Sequence, residues 1–358
     1  MEKVVFLLNQ KKMKTKLLVL FLGMLLVSCS DSDSESDYES ITLEKPSNFP
    51  AIKFNSQENP ITKSGVELGR MLFYEGDLAS DGVVSCGFCH IQSDAFTHHG
   101  HTLSHGIEGL AGMRNTPAVQ NMAFMENIMW EGVLHNLSTM ALAPISNPVE
   151  MNGNFEIIVQ KLQNSTKHNY KTQFKKAFGN EEITANKVLF ALGQFMATMV
   201  SSNSKYDKYS RNEGVSLTTD ELQGLSIFNQ KCASCHTTDL FTDQSFRNTG
   251  LAYNNTLKDN GRQRVTLDPN DYMKFRVPSL RNVELTKPYM HDGRFYTLEA
   301  VLNHYSSGMV DYPNLDPIFK QNGNTGIPLT DQEKQLLITF LKTLTDYEFI
   351  SNSKFSEI

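Results

Sequence analysis

Apolar residues recur at helical spacing along most of the chain. Val188, Leu189, Leu192, Phe195, Met196 and Met199 fall on one face of a helix. Thr218-Thr-Asp-Glu221 has the form in which the first and fourth residues satisfy each other's free backbone N–H groups, and Leu222, Leu225 and Phe228 follow at the same period. Thr330-Asp-Gln-Glu333 opens a third helix carrying Leu336, Leu337, Phe340, Leu341 and Leu344. No stretch alternates apolar and polar positions as a half-buried strand would, so the predicted fold class is all-α with little or no β. A short repeat, Gly69-Arg-Met-Leu-Phe73 and Gly224-Leu-Ser-Ile-Phe228, predicts two related halves. Ser202 to Ser216, rich in Ser, Asn and Gly, reads as the linker between them.

A separate apolar run, Leu17 to Val27, follows Lys11, Lys12, Lys14 and Lys16 and is too short to span a bilayer as a mature helix. Residues 1–28 therefore read as a signal peptide, with Met13 as an alternative start. The run ends Leu26-Val-Ser-Cys29, which resembles a bacterial lipobox, so Cys29 is the expected lipidation site. Ser30 to Ser40 is polar and acidic, and residues 29–56 are expected to form a flexible tether. Its Ser-Asp start is similar to a surface-export signal of lipoproteins. The expected location is thus exported, periplasmic or on the cell surface, anchored to the outer membrane by lipid only.

The 358 residues are 40% hydrophobic and 10% aromatic, which supports real cores and excludes wholesale disorder. Formal charge is −6, and it becomes −10 once the five Lys and one Glu of residues 1–28 are set aside. An acidic chain argues against a nucleic-acid partner, because phosphate binding needs a basic face.

Cys29 apart, the cysteines form two pairs, Cys86/Cys89 and Cys232/Cys235, each followed at once by a histidine, His90 or His236. CxxCH is the attachment pattern of c-type haem: two thiols meet the vinyl groups and the histidine becomes the proximal iron ligand. At this chain's five Cys and ten His, chance predicts roughly 0.002 such motifs, and there are two. A redox CxxC or a zinc knuckle is the competing reading, but zinc would not explain a histidine directly adjacent in both copies.

The segments around these motifs resemble the bacterial di-haem cytochrome c peroxidase family, including its MauG branch, from about Pro60 to Asp346. The runs that carry the resemblance are Ser85-Cys-Gly-Phe-Cys-His90, Arg114-Asn-Thr-Pro117, Trp130-Glu-Gly132, Ala143-Pro-Ile145, Pro148-Val-Glu-Met151, Val277-Pro-Ser-Leu-Arg-Asn282, Pro288-Tyr-Met-His-Asp-Gly-Arg294 and Thr297-Leu-Glu299. The resemblance implies two cytochrome c-like domains: residues 57–205 with the peroxidatic haem on Cys86, Cys89 and His90, and 206–358 with the electron-transfer haem on Cys232, Cys235 and His236. It places Glu150 as the active-site acid–base and Trp130, the only tryptophan, as the relay between haems. It also implies a calcium ion held by Asn115, Thr286 and Pro288, and a homodimer is common among its members.

The chain departs from the peroxidase branch at several positions. Where a methionine closes the electron-transfer haem, counting fourteen residues from His291 reaches Tyr305, a tyrosine as in the MauG branch, with Met309 and Met290 as alternatives. The distal histidine position falls near Gly106 or Ile107, which implies an open peroxidatic iron, although a small loop shift would offer His105. His98, His99, His101 and His105 otherwise read as polar surface residues. Met140 stands in place of the active-site Gln, and Val133 in place of an Arg.

Three functions follow as expectations. The first is reduction of hydrogen peroxide to water at the N-terminal haem, with electrons from a small cytochrome c or copper protein entering through the C-terminal haem. The second is a MauG-like oxidase acting on residues of a partner protein. The third is a non-catalytic electron carrier with both irons six-coordinate.

Overall fold

A computed structural model of the chain describes residues 39–321 and 323–358. The expected signal peptide and Cys29 lie outside the described residues. Among the described residues four helices of nine residues or more build the first half: α1 (Lys63–Phe73), α2 (Phe155–Gln163), α3 (Tyr170–Phe178) and α4 (Ala185–Thr198). Three organise the second: α5 (Thr219–Lys231), α6 (Leu298–Ser307) and α7 (Asp331–Lys342). The capping boxes expected at Thr218 and Thr330 are both formed, with Glu221 and Glu333 returning the bond. Two antiparallel pairs of two-residue strands are the only sheets among the described residues: β1 (Phe246–Arg247) on β2 (Phe275–Arg276), and β3 (Lys320–Gln321) on β4 (Asn324–Thr325).

The short sequence repeat is a helix crossing made twice. α1 packs along α4 at Gly69, where a Cβ would overlap the Ala191 carbonyl and approach Phe195 Cβ to 2.8 Å. α5 packs along α7 at Gly224, where a Cβ would overlap the Leu336 carbonyl and approach Phe340 Cβ to 2.8 Å. In each copy the phenylalanine four residues on, Phe73 or Phe228, is buried at the start of the chain's run toward CxxCH. Each such burial contributes about 1.5–3 kcal/mol. One apolar core surrounds α1 and α4, and a second surrounds α5 and α7.

Three segments differ from the sequence expectation. The supposed linker contains a helix, Lys205–Ser210, whose Asp207 is fully buried. Both Asp207 oxygens accept from the Arg281 guanidinium at 2.8 and 2.7 Å, and the Ser204 backbone N–H and hydroxyl add bonds at 2.9 and 2.7 Å. Burial alone would raise this carboxyl's pKa, but the Arg281 bonds and charge hold it below the usual range. The described part of the expected tether is ordered by its own apolar residues. Ile41 N–H bonds to the Ile61 carbonyl at 2.8 Å, and Phe49 and Phe54 are buried in the first core. The C-terminal end crosses back: Phe349 and Phe355 join the first core, Gln92 Nε2 donates to the Asn352 carbonyl at 2.8 Å, and the Tyr74 hydroxyl donates to the Phe355 carbonyl at 2.6 Å.

Candidate functional site

Both CxxCH motifs lie at the end of a helical turn with the histidine just beyond it. Cys86–Cys89 is itself a short helix capped by His90, and Cys232 caps α5. The His90 Nδ1–H faces the Phe96 carbonyl at 2.7 Å, and the His236 Nδ1–H faces the Phe241 carbonyl at 3.0 Å. A bond to one ring nitrogen fixes the tautomer and leaves Nε2 as the free ligand. Burial lowers the pKa of both imidazoles, against the raising effect of these carbonyls, which favours the neutral form that binds metal. Burial also pushes Cys86 and Cys232 up to about 12 and Cys89 to about 11, unlike the low-pKa thiol of a redox pair.

The two acceptor carbonyls belong to a second repeat that the sequence reading missed: Asp94-Ala-Phe-Thr97 and Asp239-Leu-Phe-Thr242. Both phenylalanines take positive φ, 61° at Phe96 and 55° at Phe241, turning the carbonyl back toward the histidine. The spacing from the histidine differs by one residue, six against five, which hides the repeat from fixed-offset comparison.

A cavity of about 240 Å³ opens beside the second motif, walled by Cys232, Cys235, His236, Tyr305, Met290, Trp130 and a largely apolar set including Leu302, Leu337 and Leu341. Of the three candidates to face His236, Tyr305 and Met290 line this space, while Met309 packs in a separate small cluster. Burial, then the neighbouring Cys235 and Cys232, pushes the Tyr305 phenol far up, so it is neutral unless a cation stands beside it. Arg276, also in the wall, is pushed down to about 10 by burial, and among the described residues no carboxylate pairs with it. A flat apolar group carrying an acidic edge and a metal fits this donor set: two thiols, one oriented imidazole, a phenol in the same wall and a guanidinium without a carboxylate partner.

Trp130 is held at the same cavity. Its indole N–H donates to the Asn115 carbonyl at 2.8 Å, and its own carbonyl accepts from the Arg276 N–H at 2.7 Å. Arg114, beside Asn115, bridges Glu131, beside Trp130, to Asp259. Asn115, Thr286 and Pro288 all line that cavity. The Asn115 side-chain amide donates to the His101 and Thr102 carbonyls at 3.1 and 3.2 Å, which leaves its oxygen available.

At the first motif, Glu150 lies near enough to Cys89 for its charge to raise that thiol's pKa. Burial raises Glu150 itself, and a bond from Asn147 Nδ2 at 3.0 Å offsets part of this. Gly106 is pressed against the Glu150 backbone: a Cβ there would lie 2.5 Å from Glu150 Cα, and Ile107 N–H donates to the Glu150 carbonyl at 2.8 Å. No side chain fits at 106. His105 turns instead toward His101, with ring centroids 4.9 Å apart, and His98 stacks on His101 at 4.2 Å. His98 is thus buried and not a surface residue, with Nδ1 lacking a hydrogen bond and a pKa lowered by burial to about 4. Met140 is a core residue and Val133 is exposed. Asn147 and Arg276 are the functional candidates that the sequence reading did not find, and neither sits in a motif with its own period.

Among the described residues no helix is long and apolar enough to cross a membrane. The sequence profile of the di-haem cytochrome c peroxidase family matches residues 63–214. The methylamine utilization protein MauG of Methylorubrum extorquens is 35% identical over 291 residues, covering 80% of this chain and 79% of that one. The cytochrome c551 peroxidase of Nitrosomonas europaea is 34% identical over 282 residues, covering 78% and 79%. The crystal structure of a MauG-like protein associated with microbial copper homeostasis superposes with a TM-score of 0.80 at 32% identity, covering 89% of this chain and 99% of that one.

Proposed function

Because the chain belongs to the di-haem cytochrome c peroxidase family, an enzymatic family of oxidoreductases whose members take two c-type haems, we propose that it reduces hydrogen peroxide to two waters beside Glu150. The electrons come one at a time from a small redox protein through the His236 side. The single observation that carries this reading is the Gly106–Glu150 contact: the loop beside the first site has no side chain at 106, where it presses on the Glu150 backbone, and the half-buried Glu150 carboxyl has its pKa raised by burial. In this reading His90 and His236 hold the two irons, Cys86, Cys89, Cys232 and Cys235 anchor the rings, and Tyr305 faces His236. When bound, the haems supply the reversible one-electron chemistry that the side chains lack.

The residues of the chain handle protons and position. Glu150, deprotonated, takes a proton from the near oxygen of peroxide and returns it to the far oxygen, so that the departing oxygen leaves as water. Asn147 fixes the carboxyl and keeps its pKa from rising further. Trp130, pinned through Asn115 and Arg276, is the aromatic bridge between the two sites. The free oxygen of Asn115, with Thr286 and Pro288, suits a calcium ion that would tie that bridge to the Pro288–Arg294 turn. Tyr305 in the cavity wall favours a second reading, MauG-like oxidation of a partner protein. Residues 57–205 and 206–358 are read as the two haem-bearing units, with Phe349 and Phe355 of the second returning to the first core, and Cys29 as a lipid anchor that keeps the exported protein at a membrane.

Low-temperature EPR of the oxidised holoprotein tests the site. One high-spin and one low-spin ferric signal are expected. Two low-spin signals would mean that a side chain such as His105 closes the first iron, and the open-site reading fails.

A further inference from the structure

Tyr305 and Tyr312 both pack against a small buried cluster of Met309, Leu315 and Phe319, with the Tyr305 and Phe319 ring centroids 5.9 Å apart. From Tyr312 the aromatic contact continues outward. Tyr272 meets Tyr312 edge-on at 5.9 Å, and Tyr253 stacks on Tyr272 at 6.2 Å with 22° between the planes. These three ring pairs lie in the range of direct contact, and the cluster of Met309, Leu315 and Phe319 spans the gap between Tyr305 and Tyr312. All three tyrosines are half-buried, and the Tyr312 hydroxyl oxygen accepts the Tyr253 backbone N–H at 3.0 Å, which leaves its own proton free to be donated. Phenylalanine would serve the ring packing equally at 253 and 272, and at 312 would lose only the bond from the Tyr253 N–H. What three adjoining phenols at the surface add is the capacity to lose an electron together with a proton, and water reaches them to take that proton.

We infer that Tyr312, Tyr272 and Tyr253 form an oxidisable outlet, by which the oxidising power of peroxide leaves the Tyr305 side of the second cavity and meets a one-electron donor at the surface. The inference rests on the peroxidase reading above. In each passage a tyrosine gives one electron inward and its phenolic proton to water, becoming a neutral phenoxyl. It recovers one electron from the external donor and one proton from water. Two passages deliver the two electrons which, with two protons, turn one peroxide into two waters.

The test is peroxide added to the holoprotein with no donor present, so that oxidised tyrosines accumulate. Freeze-quench EPR and peptide mass spectrometry then locate the radical and any dityrosine or hydroxylated tyrosine. Oxidation is expected on the peptides carrying Tyr253, Tyr272 and Tyr312. Tyr312→Phe keeps the ring, and it should remove most of the label from Tyr272 and Tyr253 while the haem absorbance still responds to peroxide. Tyr272→Phe should do the same to Tyr253 alone and guards against a folding effect at Tyr312. Haem that responds while these peptides stay unmodified, or unchanged labelling of Tyr272 and Tyr253 in Tyr312→Phe, overturns the outlet and leaves the peroxidase reading standing. Haem that ignores peroxide in the unaltered protein overturns both.

Discussion

Glu150→Gln isolates the proton chemistry from the shape of the first site. The amide matches the carboxylate in volume, and its oxygen can still accept the 3.0 Å bond from Asn147 Nδ2, so the pocket and the Gly106 contact are retained. What is lost is a group that takes up a proton and gives it back. A positioned acid–base contributes about 10²–10⁴-fold, equivalent to about 3–5 kcal/mol of barrier. The structure also fixes the sign of the pH effect. Burial raises Glu150 above its ordinary 4.5, and only the deprotonated form can accept a proton from peroxide. The rate should therefore climb as pH rises through a limb displaced above the usual carboxylate range. Asn147→Ala, which removes the bond that lowers this pKa, should push the limb to higher pH still. Stopped-flow absorbance of the oxidised holoprotein mixed with peroxide across the acid range reads both effects. A Glu150→Gln protein with both haems attached that reacts within about tenfold of the unaltered one, on the same limb, would refute the role.

Two further substitutions test the frame that holds the sites. Gly224→Ala drives a methyl group into the Leu336 carbonyl and Phe340, so α5 and α7 must part; a loss of about 1–3 kcal/mol is expected in urea unfolding, and an unchanged midpoint would show that the crossing yields freely. Asp207→Asn strands the fully buried Arg281 without its counter-charge, with an expected loss of about 3–5 kcal/mol, whereas Asp207→Asn with Arg281→Met should recover much of it. Equal losses in the single and double variants would mean that packing, not the unpaired charge, sets the cost.

Much of the chemistry was readable along the chain because it is local. CxxCH needs only five consecutive residues, and capping at Thr218 and Thr330 acts over three, so each is complete within a turn. The apolar periods of α4, α5 and α7 were equally plain, since a helix face is set by spacing alone. The two-residue strands were not, because two residues carry no period. Ser202–Ser216 read as a linker from its composition, but the charge partner that lets Asp207 be buried is Arg281, 74 residues away. Phe349 and Phe355 read as the end of the second half, yet they pack with Phe96 of the first.

The candidate site divides the same way. The sequence alone determined which residues are able to bind haem, how many sites there are, and that Glu150 and Trp130 sit in runs matching a family. Tertiary structure decided that Gly106 presses on Glu150 and excludes a side chain there, and that His105 turns toward His98 and His101. It also decided that Tyr305 and Arg276 share one wall. These are contacts between segments with no common period, and a burial that depends on a distant partner leaves no mark on the residues near it in the chain.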